Sequence, residues 1–121
     1  MYKISSKICL GGDVGVYGNM FGGRLLSLMD EAAAIYARQY TGEKRIVSRS
    51  FSGVEFHSPI KEGEVLEVFA DNPRHGRTSF TFDIHVIVGE NRRFCATCVF
   101  VALDEEGKKK ELDWSRKRDL F

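Results

Sequence analysis

The chain has 121 residues, 43% of them hydrophobic and 29% charged, with a net charge of +1. This length suits one domain and is too short for two, and the near-neutral charge gives no general case for binding nucleic acid. No apolar run reaches the roughly 18 residues of a membrane span, and the polar start Met1–Lys7 lacks the apolar stretch of a signal peptide. A cytoplasmic location is therefore expected. The cysteines Cys9, Cys95 and Cys98 do not form a disulfide framework. Cys95-Ala96-Thr97-Cys98 has the spacing of a redox or zinc half-motif, but it lies in a β-type run, where positions 95 and 98 point to opposite faces. Further ligands are lacking nearby in sequence, so these read as packing cysteines and no metal is expected.

In chain order, residues 2–10 read as a first strand, and residues 11–20, with glycines at 11, 12, 15 and 18, as a loop. Apolar residues at 21, 25, 28, 29, 32 and 36 then predict a helix over about 21–40. Leu26, Ala33, Ala34, Ile35 and Ala37 make its other faces apolar too, and a helix apolar nearly all round is a buried one. Asp30 stands in its middle, where a buried carboxylate is costly unless paired or hydrogen-bonded. Thr41-Gly42 marks the end. Four β-type runs follow, at 45–57, 64–72, 77–89 and 92–103. Their separators are Pro59 with Lys61-Glu62-Gly63, then Asn72-Pro73-Arg74-His75-Gly76, then Gly89-Glu90-Asn91.

Within 79–88, Phe80, Phe82, Ile84, Val86 and Val88 share one face, the pattern of a sheet covered on one side. Short connectors predict antiparallel neighbours. The expected architecture is α+β, a single domain over 1–121 in which one antiparallel sheet wraps a long helix. The stretch 105–121 reads as a polar, solvated tail, with Leu112, Trp114, Leu120 and Phe121 as docking points. One sheet covers only part of an all-apolar helix. The surface left over, around the helix N-terminal end, predicts a second copy related by two-fold symmetry.

Several motifs carry a resemblance. Asp13-x-x-x-x-Gly18-x-x-Phe21-Gly22-Gly23 is followed, seven residues after Gly23, by Asp30 within Met29-Asp30-Glu31-Ala32. Phe56-x-x-Pro59-Ile60-x-x-Gly63-Glu64, Gly76-Arg77-Thr78-Ser79 and Phe100-Val101-Ala102-Leu103-Asp104 come after it in order. Together these resemble the hot-dog-fold acyl-CoA thioesterases, of the bacterial broad-specificity (YciA-like) and brain acyl-CoA hydrolase types. The resemblance spans about residues 13–107 and implies hydrolysis of an acyl-CoA without a cofactor, coenzyme A being part of the substrate. It also implies a homodimer, with assembly into a trimer of dimers.

The resemblance gives Asp30 the role of base or nucleophile; in isolation Asp30 reads as a buried polar residue satisfied by a neighbouring strand. Desolvation makes a carboxylate a stronger base. Oxyanion donors are expected from backbone N–H groups at Gly22 and Gly23, since helix N-termini carry unpaired N–H groups and partial positive charge. Without the motif these glycines read as a tight turn. Gly22 and Asp30 are eight residues apart, roughly 12 Å along a helix axis, so one carbonyl cannot meet both groups of the same helix. If both act on one thioester, the two groups must come from different subunits. In part of the family an Asn two residues after the Asp assists the carboxylate; Gly15 stands there, leaving Asn19 or a strand residue as a replacement. Arg24 stands where the bacterial enzymes often carry Trp, and places a charge near the acyl or pantetheine path.

Coenzyme A carries phosphates, and Arg74, His75 and Arg77, with Thr78 and Ser79, are the candidates to meet them. Arg92 and Arg93 are weaker candidates. Phe56, His57 and Pro59, with Phe51, Met29 and Tyr36, are candidates for the acyl pocket, although Phe51, Phe56, Met29 and Tyr36 suit the core equally well. Glu31 reads as structural, paired with Arg38 or Arg24. Two alternatives remain: a non-catalytic acyl-thioester binder, and a hydroxyacyl-thioester dehydratase using His57.

Overall fold

A computed structural model describes residues 1–120. It contains strands β1 Tyr2–Ile8, β2 Ile46–Phe56, β3 Val65–His75, β4 Ser79–Val88 and β5 Asn91–Ala102, and one α-helix, α1 Gly22–Thr41. The strands form one antiparallel sheet in the order β1-β3-β4-β5-β2, with α1 packed against it.

Period-two alternation builds the core. Phe80, Phe82, Ile84 and Val86 of β4 stand in register with Phe100, Cys98, Ala96 and Phe94 of β5, and all are buried. Against this apolar face α1 lays Leu25, Met29, Ala32, Ala33, Tyr36, Ala37 and Tyr40. The Tyr36 ring meets Phe82 edge-on at 4.8 Å and Tyr40 stacks on Phe80 at 4.6 Å. Burying each such side chain contributes about 1.5–3 kcal/mol. Gly42 closes the helix in the left-handed conformation, φ 75°, with its N–H donating to the Arg38 carbonyl at 3.0 Å.

Three expectations are corrected. First, the helix is not buried all round. Gly23, Ser27, Asp30, Glu31, Ile35 and Arg38 are exposed, so α1 has one covered and one open face, and the open face runs from the N-terminal end along the length of the helix. Second, β2 and β3 are not neighbours despite their short connector. Residues 57–64 cross to the far side of the sheet past the helix N-terminus, where Met20 N donates to the Ile60 carbonyl at 2.6 Å. Third, β3 runs through Asn72 and Pro73 to His75. A register break between Asp71 and Arg74, with Asn72 at φ 54°, interrupts the ladder and lets the proline pass.

The tail, exposed along most of its length, lies against the fold at Leu112, Trp114 and Leu120, three of its expected docking points. Leu112 N donates to the Arg77 carbonyl at 2.9 Å, and Trp114 Nε1 to the Gly76 carbonyl at 2.8 Å. The Trp114 ring stacks on His75, with centroids 4.0 Å apart. The buried Glu43 carboxylate holds Lys110 at 2.8 Å and Arg116 at 3.5 Å. Leu112 is buried and Leu120 half-buried; Phe121 lies outside the described residues.

Candidate active site

The loop before α1 is anchored by a carboxylate. Asp13 is buried. Its oxygens accept from Leu10 N at 2.9 Å and Arg24 Nε at 2.8 Å, and pair with Lys7 Nζ at 2.8 Å. These contacts, the Lys7 hydrogen bond foremost, hold the Asp13 carboxyl far below the usual carboxylate range. Arg24 is thereby turned onto the loop, which corrects the expectation of a charge on the acyl or pantetheine path. Asp13 was visible in sequence only as the first letter of a motif.

Phe21 is the extended residue before the helix, with φ −75° and ψ 150°. Its carbonyl accepts from Arg24 N and Leu25 N at 3.0 and 3.2 Å. Among the described residues the Gly22 and Gly23 N–H groups donate to no acceptor, as expected for a helix start. The Phe56 ring packs over Gly22, where an added Cβ would lie 3.4 Å from two ring carbons. Gly22 thus has a packing reason as well as a chemical one, whereas Gly23 is exposed.

Beside this helix start lies a cleft of about 330 Å³ lined by Asn19, Met20, Leu25, Phe56, His57, Ser58, Pro59 and Ile60. The structure thus brings Asn19 together with Phe56, His57 and Pro59. Asn19 Oδ1 accepts from Lys61 Nζ at 3.1 Å. Arg93 grips the floor of the turn, with Nη1 on the Pro59 carbonyl at 2.6 Å and both amino groups on the Glu64 carboxylate at 3.1 and 2.9 Å. That fork holds the Glu64 carboxyl below its ordinary range. This corrects Arg93 as a coenzyme A candidate. Its acidic partner, the last residue of the Pro59–Glu64 motif, was the available signal.

Asp30 occupies a different place. It is exposed on the open face of α1, in a cleft of about 420 Å³ lined by Ser27, Asp30, Glu31, Ala34, Ile46, Val47, Ser48 and Phe100. Among the described residues its carboxylate makes no ion pair or hydrogen bond, so the buried, strand-satisfied alternative fails. Glu31 lines the same cleft, and its expected pairs with Arg24 and Arg38 do not form.

The expected phosphate cluster is dispersed. Arg74 pairs with Asp83 at 2.9 Å and Arg77 with Glu111 at 2.8 Å. His75 accepts or donates a hydrogen bond with Tyr40 Oη at 2.8 Å. Burial against Trp114 and Tyr40 lowers its pKa and favours the neutral ring. Thr78 and Ser79 are half-buried in a tight turn. There Gly76 is required, because a Cβ would approach the Ser79 carbonyl oxygen to 2.9 Å. The partner carboxylates lie on another strand and in the tail, out of reach of motif reasoning.

His57 faces Cys95 Sγ at 3.5 Å and Glu55 Oε2 at 3.8 Å, and shares no cleft with Asp30 in one chain. Cys98 points the other way, into the core, where burial pushes its thiol up to about 12.

The family model described as "Thioesterase superfamily" matches residues 17–95. The acyl-CoA thioester hydrolase YciA of Escherichia coli is 33% identical over 83% of this chain and 82% of its own. A hexameric thioesterase from Yersinia pestis superposes with a TM-score of 0.85 at 29% identity, covering 92% of this chain and 94% of that one. A Staphylococcus aureus acyl-CoA hydrolase, in complex with butyryl coenzyme A, coenzyme A and coenzyme A disulfide, superposes with a TM-score of 0.81 at 30% identity, covering 89% and 69%. The matched segment contains the end of the glycine-rich loop, α1, β2, β3, β4 and the start of β5, and the chain belongs to the thioesterase superfamily with its hot-dog fold.

Proposed function

We propose that this chain hydrolyses acyl-CoA thioesters in composite sites built by two copies of itself. One observation carries the mechanism. A single helix presents an unpaired carboxylate at Asp30 and unpaired N–H groups at Gly22 and Gly23, each beside its own cleft. Roughly 12 Å of helix separates them, too far for one carbonyl carbon and its oxygen. A second copy removes the conflict by bringing its helix start to the first copy's Asp30. Two further features support this pairing. Among the described residues β2 is an edge strand joined only to β5, with Val47 42% and Val54 37% exposed, and nothing covers the open face of α1. An unpaired, partly apolar edge is a template for strand addition. Assembly beyond the dimer, to a trimer of dimers, follows the hexameric Yersinia pestis relative.

In this reading the thioester carbonyl oxygen accepts from Gly22 and Gly23 N–H of one subunit. Asp30 of the other attacks the carbonyl carbon or takes a proton from the attacking water. The C–S bond breaks as the tetrahedral adduct collapses and the coenzyme A thiolate leaves. With Asp30 as base, the thiolate takes the proton Asp30 removed from water. With Asp30 as nucleophile, water then hydrolyses the acyl anhydride formed on Asp30, releasing the acid and giving a proton to the thiolate. Preorganised donors at the oxyanion are the larger part of such catalysis, which gives the glycine pair its chemical reason. The acyl chain lies in the cleft of Phe56, His57 and Pro59, with Asn19 at its edge.

The phosphates are met at the Arg74–Ser79 turn by Arg77. Its pair with Glu111 is exposed on both sides, and such pairs contribute only about 0–1 kcal/mol, so a phosphate displaces the carboxylate cheaply. Steady-state hydrolysis of a panel of acyl-CoAs of graded chain length, with the free thiol detected, tests the activity. Turnover with at least one member is expected; none with any member contradicts the proposal.

A further inference from the structure

On the outer face of the sheet, away from α1, three different donor groups converge. β2 bulges around Gly53, at φ 56°, and the break in register between Ser52 and Glu55 sets Glu55 directly opposite Cys95 of β5. His57 lies two residues beyond Glu55, so its side chain returns to the same face. The ligating atoms of Glu55, His57 and Cys95 all lie within 4.8 Å of one another. A single imidazole nitrogen, Nε2, faces both Cys95 Sγ at 3.5 Å and Glu55 Oε2 at 3.8 Å.

We propose that Glu55, His57 and Cys95 form a binding site for a zinc-like divalent metal ion. With ordinary bond lengths, a tetrahedral zinc ion holds sulfur and nitrogen ligands about 3.6 Å apart, and nitrogen and oxygen ligands about 3.4 Å apart. The observed separations match these within a few tenths of an ångström. One nitrogen cannot satisfy a thiol and a carboxylate equally, whereas a cation between the three satisfies all of them. The neighbouring cations leave the site alone. Arg93 is held by Glu64 and the Pro59 carbonyl, and Arg92 lies against His85 Nδ1 at 3.4 Å. His85, in register with Cys95 on its other side, is not among the groups whose ligating atoms converge, so among the described residues three ligands are supplied and the fourth position is open to water. Mixed sulfur, nitrogen and oxygen donors select zinc or cobalt over magnesium or calcium. Because His57 also lines the cleft beside the helix start, the ion sits on the rim of that cleft.

The test uses the full chain, stripped of metal by a chelator. Zn²⁺ affinity is measured by competition with a chromophoric chelator, and the Co²⁺ complex is examined for thiolate-to-metal charge transfer in the near ultraviolet. About one ion per chain is expected, with the thiolate band present. Cys95→Ser removes the band. Cys95→Ser and Glu55→Gln each weaken Zn²⁺ by more than about tenfold; both positions are on the outer face, so the fold survives. Cys98→Ser, at the core sulfur 4.0 Å from Met29 Sδ, keeps the band. Unchanged Zn²⁺ affinity in either outer-face variant, or a Co²⁺ complex without the thiolate band, overturns the site.

Discussion

Two carboxylates flank the glycine-rich entry to the helix, and they differ in every physical respect. Asp13 is buried and holds three partners from the strand before it, the loop and the helix after it. Asp30 is exposed, and among the described residues it holds none. A carboxylate gripped by three donors on both oxygens is fixed in place and cannot take a proton from water without breaking structure. One that faces an open cleft with free oxygens is available for chemistry. The contrast separates the residue that builds the site from the residue proposed to work in it, although both lie in one motif.

The largest expected effect falls on Asp30. Asp30→Asn should lower turnover by at least about a hundredfold, the scale of losing a general base, while the thermal midpoint stays near that of the wild type. Equal losses of activity and stability would erase the distinction between the two aspartates. Asp13→Ala should do the opposite. It strands Arg24 and Lys7 and frees the loop, so the thermal midpoint falls by several degrees, with activity following the folded fraction.

The same carboxylate shapes the acid limb of stability. Its folded pKa lies below its unfolded value, so it contributes stability above the usual carboxylate range near about pH 4, and that contribution is lost as pH falls toward the folded value. Asp13→Asn should therefore flatten this limb of the stability profile, read by denaturant unfolding at successive pH values. Smaller again is the effect of the docked tail. Trp114→Ala removes the stack on His75 and the bond to the Gly76 carbonyl, and should cost about 2 kcal/mol. Because burial depresses the His75 pKa, its contribution is present above about pH 6.5 and declines below it. The smallest effect on the fold is that of Gly23→Ala. An added Cβ there meets only the Phe21 ring, at an ordinary 3.6 Å, so stability should barely change while the approach of the thioester is obstructed and kcat/KM falls.

Much of this was legible because it is local. The α1 periodicity, its glycine stop and the β4 alternation are written in adjacent residues, and the observed helix differs from the expected 21–40 by one position at each end. What could not be read depends on pairing across the sheet. The sheet order puts β2 beside β5, because the β2–β3 connection crosses past the helix, and connector length alone does not show a crossing. Arg74 and Arg77 looked free because Asp83 and Glu111 reach them only after folding. The Glu55–His57–Cys95 cluster depends on a bulge at Gly53 that no spacing rule reveals. Asp30 was expected in a buried helix because period counting weighs small residues such as Ala34 as covered surface; in one chain that face is open.

The central claim is that the two halves of the site come from different subunits, and a mixing experiment tests it most directly. Asp30→Asn lacks the carboxylate. Gly22→Pro lacks the first helix N–H, at a position whose backbone admits proline because Phe21 before it is already extended, and where the added ring atoms meet the tip of the half-exposed Phe56 ring, which can swing aside. Each variant alone should be nearly inactive. Co-refolded in equal amounts, half of the dimers are mixed and each mixed dimer has one intact site, so activity should recover to about a quarter of the wild-type value by two-fold symmetry. Activity that stays at the level of the separate variants would place both groups in one chain and contradict the account.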